Sequence, residues 1–275
     1  MTLWAVAGIV ALATVLIFIL PARRRRRALA APFPDAWDAL LRRRLEPYAG
    51  LADRERRQLQ DLLRLFLASK RFHGCGGLDV SEEMRVCIAA QACLLLLNRH
   101  TEGFPHLHHI LVYPGAFVRE GEEWHEDGTV SVVSSELLGE SWDAGKVILS
   151  WEDVDRDLAH FDDGFNVVLH EFAHQLDSES GSENGTPVLS RAESEHWVRV
   201  MTREYESLVA AAERGEETLL DPYGATAPAE FFAVVTETFF ELPDQLRERH
   251  PELFTLLKEY YRVDPAVWYR ALTAG

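Results

Sequence analysis

Five consecutive residues, His170-Glu171-Phe172-Ala173-His174, constrain this chain more than any other stretch. Two histidines four apart share a face only when the segment is helical, where they stand one turn above each other. Phe165, Val168, Leu169, Phe172 and Leu176 form an apolar stripe beside them. The spacing predicts a helix over 163–177 with one side in a core and two imidazoles on another. Zinc takes neutral imidazole nitrogens, and this spacing supplies two. Glu171, next to the first histidine, is placed to act as the general base toward a zinc-activated water. The run matches the H-E-x-x-H pattern, whose chemistry is peptide hydrolysis with one Zn2+ per chain.

A catalytic zinc needs a third protein ligand and an open position. No third histidine follows closely, because Gln175, Leu176 and Asp177 lead into a polar loop. His196 is a distant candidate. Glu230 is the better one: it stands among Pro228, Ala229, Phe231, Phe232 and Ala233, and an acid in such surroundings needs a partner. Glu237, two turns further along the same face, is weighed as an alternative. Asp177 and Glu237 are also candidates to accept the second N–H of a ligand histidine.

The segments HEFAHQLD, DPYGATAPAEFFAVVTETFF and, less specifically, SWEDV resemble the MtfA (Mlc titration factor A) family of zinc-dependent peptidases. That family is gluzincin-like and similar in its core to the catalytic domain of anthrax lethal factor. The resemblance covers the chain from about residue 37. It implies His170, His174 and Glu230 as metal ligands, Glu171 as catalytic acid/base, and Tyr223 as the active-site tyrosine. A phenol there would donate to the oxyanion of a tetrahedral intermediate, whereas the residues alone leave packing under the site equally open. The resemblance further implies aminopeptidase-like action on short peptides, with an endopeptidase or a regulatory protein-binding module retaining zinc as alternatives. For the family's namesake the regulatory partner is a transcriptional repressor of sugar uptake.

Residues 3–20 carry no charge, and residues 23–27 are all arginine. The apolar run is just long enough to cross a bilayer core. Charge after the run, rather than before it, predicts a single-pass anchor in the cytoplasmic membrane with the following domain in the cytoplasm. A purely cytoplasmic location is the alternative. The expected division is an anchor over 1–21, a basic, proline-containing linker over 22–36 and a peptidase domain over 37–275. The net charge of −16 arises despite the arginine run. A body this acidic repels a phosphate backbone, so nucleic acid is not an expected partner. Peptide or protein substrate and, through the N-terminal helix, the lipid bilayer are.

The expected fold is α+β, mainly helical with a small mixed sheet. Apolar residues recur at helical spacing from Trp37 and again after Asp53. Asp79 with Glu82 suggests a cap for a helix reaching Asn98, apolar on nearly every side over 89–97. Strand composition marks 110–113, 129–134 and 146–151, and the last could bind an extended substrate along its edge, with Trp142 and Trp151 beside it. Helices are expected again over 192–213, 228–242 and 244–261. The odd, unpatterned Cys75, Cys87 and Cys93 point to free thiols.

Overall fold

The computed structural model describes residues 20–99, 103–115, 122–124, 130–132 and 145–273. Four helices come first: α1 (Leu20–Ala30), α2 (Asp35–Arg44), α3 (Glu46–Gly50) and α4 (Asp53–Ser69). Strand β1 (Arg71–Gly74) precedes α5 (Glu82–Leu94), and β2 (His109–Tyr113), β3 (Glu122–Trp124), β4 (Val130–Val132) and β5 (Lys146–Ser150) follow. Helices α6 (Trp151–Ala159), α7 (Val167–Ser178), α8 (Arg191–Glu213), α9 (Pro228–Glu241), α10 (Pro243–Arg249), α11 (Pro251–Tyr261) and α12 (Pro265–Thr273) complete the order. A 3-10 turn, Pro222–Ala225, stands before α9.

Helix α5 is the centre. Every residue from 86 to 97 is buried, as a segment apolar on nearly every side requires. Its cap is Ser81, whose side chain accepts from the Met84 N–H at 3.2 Å, and not the Asp79 that the sequence pattern suggested. Helices α2, α4 and α7 pack around α5, and α7 also contacts α6, α9 and β5. The phenylalanines Phe66, Phe104 and Phe172 meet edge-on or tilted between α4 and α7. Those contacts fix the apolar side of α7 and leave the histidine side toward α9.

The sheet differs from the expected mixed one. Strands run in the order β1-β2-β5, all parallel, with Phe72 beside Ile110 and Ile110 beside Val147. Strands β3 and β4 form a separate antiparallel ribbon. Parallel neighbours need long crossovers, and here α5 lies within the first. Strand β1 escapes the sequence pattern because it is four residues long and ends in glycine. Ile110, Val112, Val147 and Leu149 point into the core.

Residues 20–30 form α1, which packs on α4 with Arg23, Arg25, Arg26 and Arg27 exposed. Two further expectations are corrected. The single helix expected over 244–261 is two, because Pro251 cannot donate within a helix and instead starts α11. Finally, no helix among the described residues is long and apolar enough to cross a membrane. That finding overturns the bilayer partner and the single-pass membrane placement. Of the apolar run, only Leu20 falls within the described residues, and it begins a helix that carries five arginines. The three cysteines are free, with Cys87 and Cys93 buried.

Candidate metal centre

Helix α7 starts where Asn166 takes the capping position. Its side-chain oxygen accepts from the Leu169 N–H at 2.9 Å, a bond that satisfies one of the orphan donors of a first turn. From this fixed start, His170 and His174 fall on the face turned to α9, with ring centroids 4.9 Å apart. Their Nε2 atoms are 3.2 Å apart.

Helix α9 supplies the other half. Proline at its first turn and a run of phenylalanine, valine and alanine after it make it a buried helix. Its only charged residues are Glu230, Glu237 and Glu241, seven and then four apart, so they form one row facing α7. Glu230 Oε2 lies 3.0 Å from His170 Nε2 and 3.4 Å from His174 Nε2. These three residues form the one group among those described with donor atoms mutually within 4.8 Å. Burial pushes the Glu230 carboxyl up, but the contacts with His170 and His174 outweigh it and hold the group below the usual carboxylate range.

Glu237 does not join this cluster. Its Oε1 lies 2.7 Å from His170 Nδ1, and its Oε2 accepts from the Asn166 backbone N–H at 2.5 Å. A carboxylate on Nδ1 places that ring's hydrogen there and leaves the Nε2 lone pair facing His174 and Glu230. Burial alone would lower the basicity of His170; the facing Glu237 and Glu230 carboxylates reverse this and raise it well above the ordinary value.

Asp177 is buried on α7, close enough to His174 to feel its charge. Its Oδ2 accepts from the Gly185 N–H at 2.7 Å, tying down the loop between α7 and α8. Gly185 has φ +73°, and a Cβ there would sit 2.3 Å from the Pro228 carbonyl oxygen. The loop thus presses on the start of α9, two residues before Glu230. Glu171 is partly buried, and its pKa is raised by burial first, with the neighbouring histidines acting the other way. Tyr223, held in the 3-10 turn by the Asp221 side chain accepting from its N–H, has its ring 6.1 Å from that of His170. His196 lies on α8 beside Arg199 and outside the cluster. Trp151 opens α6, and Trp142 lies outside the described residues.

Sequence reasoning missed a buried polar layer beneath the centre. Asn166 Nδ2 donates to Gln91 at 2.9 Å and to Glu241 at 3.0 Å. Glu241 also accepts from the Gly164 N–H, and Asp157 accepts from the Val167 N–H at 2.8 Å. Three carboxylates, Asp157, Glu237 and Glu241, therefore meet the backbone donors at the entrance of α7, where the helix dipole favours negative charge. The row of three acids on α9 was the available signal.

Two imidazoles and a carboxylate from two packed helices form the three-protein-ligand set of a catalytic-type zinc centre, and the donor chemistry fits that ion. The fold and site define a metallopeptidase-type zinc-binding protein. A family model described as "Glucose-regulated metallo-peptidase M90" matches residues 20–262, and the chain belongs to that family. The match starts upstream of residue 37 and takes in the arginine-rich helix α1. An uncharacterized protein of Synechocystis sp. is 42% identical over 252 residues, covering 89% of this chain and 90% of that protein. Mlc titration factor A of Pectobacterium atrosepticum is 36% identical over 222 residues, covering 79% and 82%. The protein of the same name from Escherichia coli (strain 55989 / EAEC) is 33% identical over 226 residues, covering 78% and 82%.

Proposed function

We propose that this protein is a zinc-dependent peptidase that hydrolyses peptide bonds, with aminopeptidase-like action on short peptides. The observation that carries the reading is the convergence of Glu230 on both Nε2 atoms of a helix that also bears Glu171. His170, His174 and Glu230 would hold the ion, and Glu237 would fix the orientation of His170. When bound, zinc supplies Lewis acidity that activates water and polarises the scissile carbonyl. The Glu171 carboxylate takes the proton from the attacking water and passes it to the leaving nitrogen. Its raised pKa brings its basicity closer to neutral pH, which suits that exchange. The Tyr223 hydroxyl would donate to the oxyanion as the carbonyl carbon becomes tetrahedral. Among the described residues β5 pairs only with β2, and an extended peptide would add to the sheet along the other edge of β5.

The test compares peptide cleavage by the wild type and by Glu171→Gln, with product masses recorded. Loss of a general base costs about 10²–10⁴-fold in rate. Retained zinc with lost cleavage supports the assignment, and equal cleavage by both proteins refutes it. Product masses separate removal of terminal residues from internal cutting.

The names of the relatives favour a second reading. Several are Mlc titration factor A, which suggests a regulatory protein-binding role in which the zinc centre is retained. Pull-down of a repressor-class protein by Glu171→Gln as well as by wild type, with no cleavage by either, would favour it.

A further inference from the structure

A second pair of imidazoles lies outside this centre. His73 on β1 and His109 on β2 project from the same side of the parallel sheet, offset by two residues in register. That side is the one opposite Ile110 and Val112, which are buried in the core. His73 is exposed and His109 is partly exposed. His73 Nε2 and His109 Nδ1 are 2.8 Å apart, with ring centroids 5.0 Å apart. In the His170–His174 pair the corresponding values are 3.2 and 4.9 Å. The two pairs therefore present nitrogen donors at similar separations.

We infer that His73 and His109 form a second, weaker site for a divalent transition-metal ion. Two imidazole nitrogens bound to one ion at about 2.0–2.1 Å each stand roughly 2.9–3.4 Å apart. The observed spacing reaches that range with a shift of a few tenths of an ångström. Both lone-pair directions already meet, since one nitrogen must donate to the other, and a cation can replace the proton they share. Imidazole suits Zn2+, Cu2+ and Ni2+, and the general affinity order places Cu2+ highest. Partial desolvation, followed by the nearby His73, Arg71, His108 and Lys146, lowers the basicity of His109 and favours the neutral ring a metal needs. The same positive neighbours oppose a bound cation. No third His, Cys, Asp or Glu donor among the described residues completes the pair. Both facts place its affinity below that of the three-ligand centre, with water in the remaining positions. Nothing in this inference depends on peptide cleavage.

The experiment uses the full chain loaded with zinc, titrated with Cu2+ or Ni2+ by calorimetry, with electron paramagnetic resonance of the Cu2+ form. One further ion per chain is expected, with nitrogen hyperfine coupling from two imidazoles. His73→Gln and His109→Gln should each weaken it by at least about tenfold, as loss of one of two protein ligands implies. His160→Gln, at an exposed position elsewhere, should leave it unchanged. His170→Ala should remove the tight ion and keep the weaker one. Absence of a further ion in the wild type would overturn the inference. So would an ion indifferent to both glutamine variants, or one that disappears with His170→Ala. Both glutamine variants change exposed sheet residues, and unchanged circular dichroism and retained zinc would establish that they are folded.

Discussion

Replacing Glu237 by glutamine tests how the centre is built. The carboxylate makes two buried contacts that both demand an acceptor, which an amide can meet only once: His170 Nδ1 at 2.7 Å and the Asn166 N–H at 2.5 Å. Both partners act as donors when His170 keeps its Nε2 lone pair for the metal. A glutamine has one acceptor oxygen, so one of the two donors must face an NH2 group. If the amide oxygen serves Asn166, His170 is driven toward the wrong tautomer. If it serves His170, a buried backbone donor is stranded at a cost of about 1–3 kcal/mol. Loss of such support under a ligand histidine costs about 10–100-fold in metal affinity, or roughly 1.4–2.7 kcal/mol. The double conflict places Glu237→Gln toward the upper end.

Zinc competition against a chromophoric chelator measures this directly, and pH supplies a second signature. The raised pKa of wild-type His170 means that a proton competes with zinc as pH falls through that value. Glu237→Gln removes the first-named attraction that raises it, so its affinity falls less steeply with acidity. The deficit of the variant should therefore be largest at alkaline pH and narrow as pH falls. Wild-type affinity in Glu237→Gln at alkaline pH, or a deficit that widens toward acid, would refute the reasoning.

Other outcomes follow from the layer under α7 and the loop beside it. Asn166→Ala removes a cap and leaves Gln91 Oε1 and Glu241 Oε1 without their donor in the core, costing about 3 kcal/mol or more; thermal unfolding should show a fall of roughly 10 °C. Burial raises Asp157 to about 7 despite its bonds to Val167 and Arg156. Because the folded value lies above the unfolded one, its stabilisation is complete below about pH 4 and is lost as pH rises through about 7. Asp157→Asn keeps an acceptor for Val167 and removes that titration, so wild type should lose stability relative to the variant over this window, by up to about 4 kcal/mol. A difference independent of pH would count against it. Gly185→Ala places a Cβ 2.3 Å from a backbone oxygen at positive φ, and should cost at least about 1 kcal/mol with weakened zinc binding, read by melting and chelator competition.

Much of the site is local and could be read from the chain. The four-residue spacing of His170 and His174, with apolar residues between and around them, determines one helix and two donors on one face. The nearly all-round apolar character over 89–97, broken only by Gln91, likewise determines a buried segment, because no orientation of a helix could expose it without cost. The proline at 251 was equally visible, but its effect was not, since a proline either kinks a helix or starts a new one according to what packs around it.

Contacts between distant segments were not local. Glu230 stands 60 residues from His170; its surroundings in the sequence favour it over Glu237 only modestly, and the packing of α9 on α7 is what brings it to the Nε2 atoms. Seven residues along α9 advance nearly two full turns, so the same row that brings Glu230 to Nε2 brings Glu237 to Nδ1, around the other side of the ring. The position of α7 along its axis depends on Asn166, Gln91, Glu241 and Asp157, polar residues whose burial no periodicity announces. The parallel order β1-β2-β5 was undetermined for the same reason, since strand pairing is a choice among partners far apart in the chain. Sequence determined which side chains could serve zinc. Tertiary packing decided which carboxylate meets both imidazoles and which one holds His170 in place, because those assignments are set by distances across helices rather than along one.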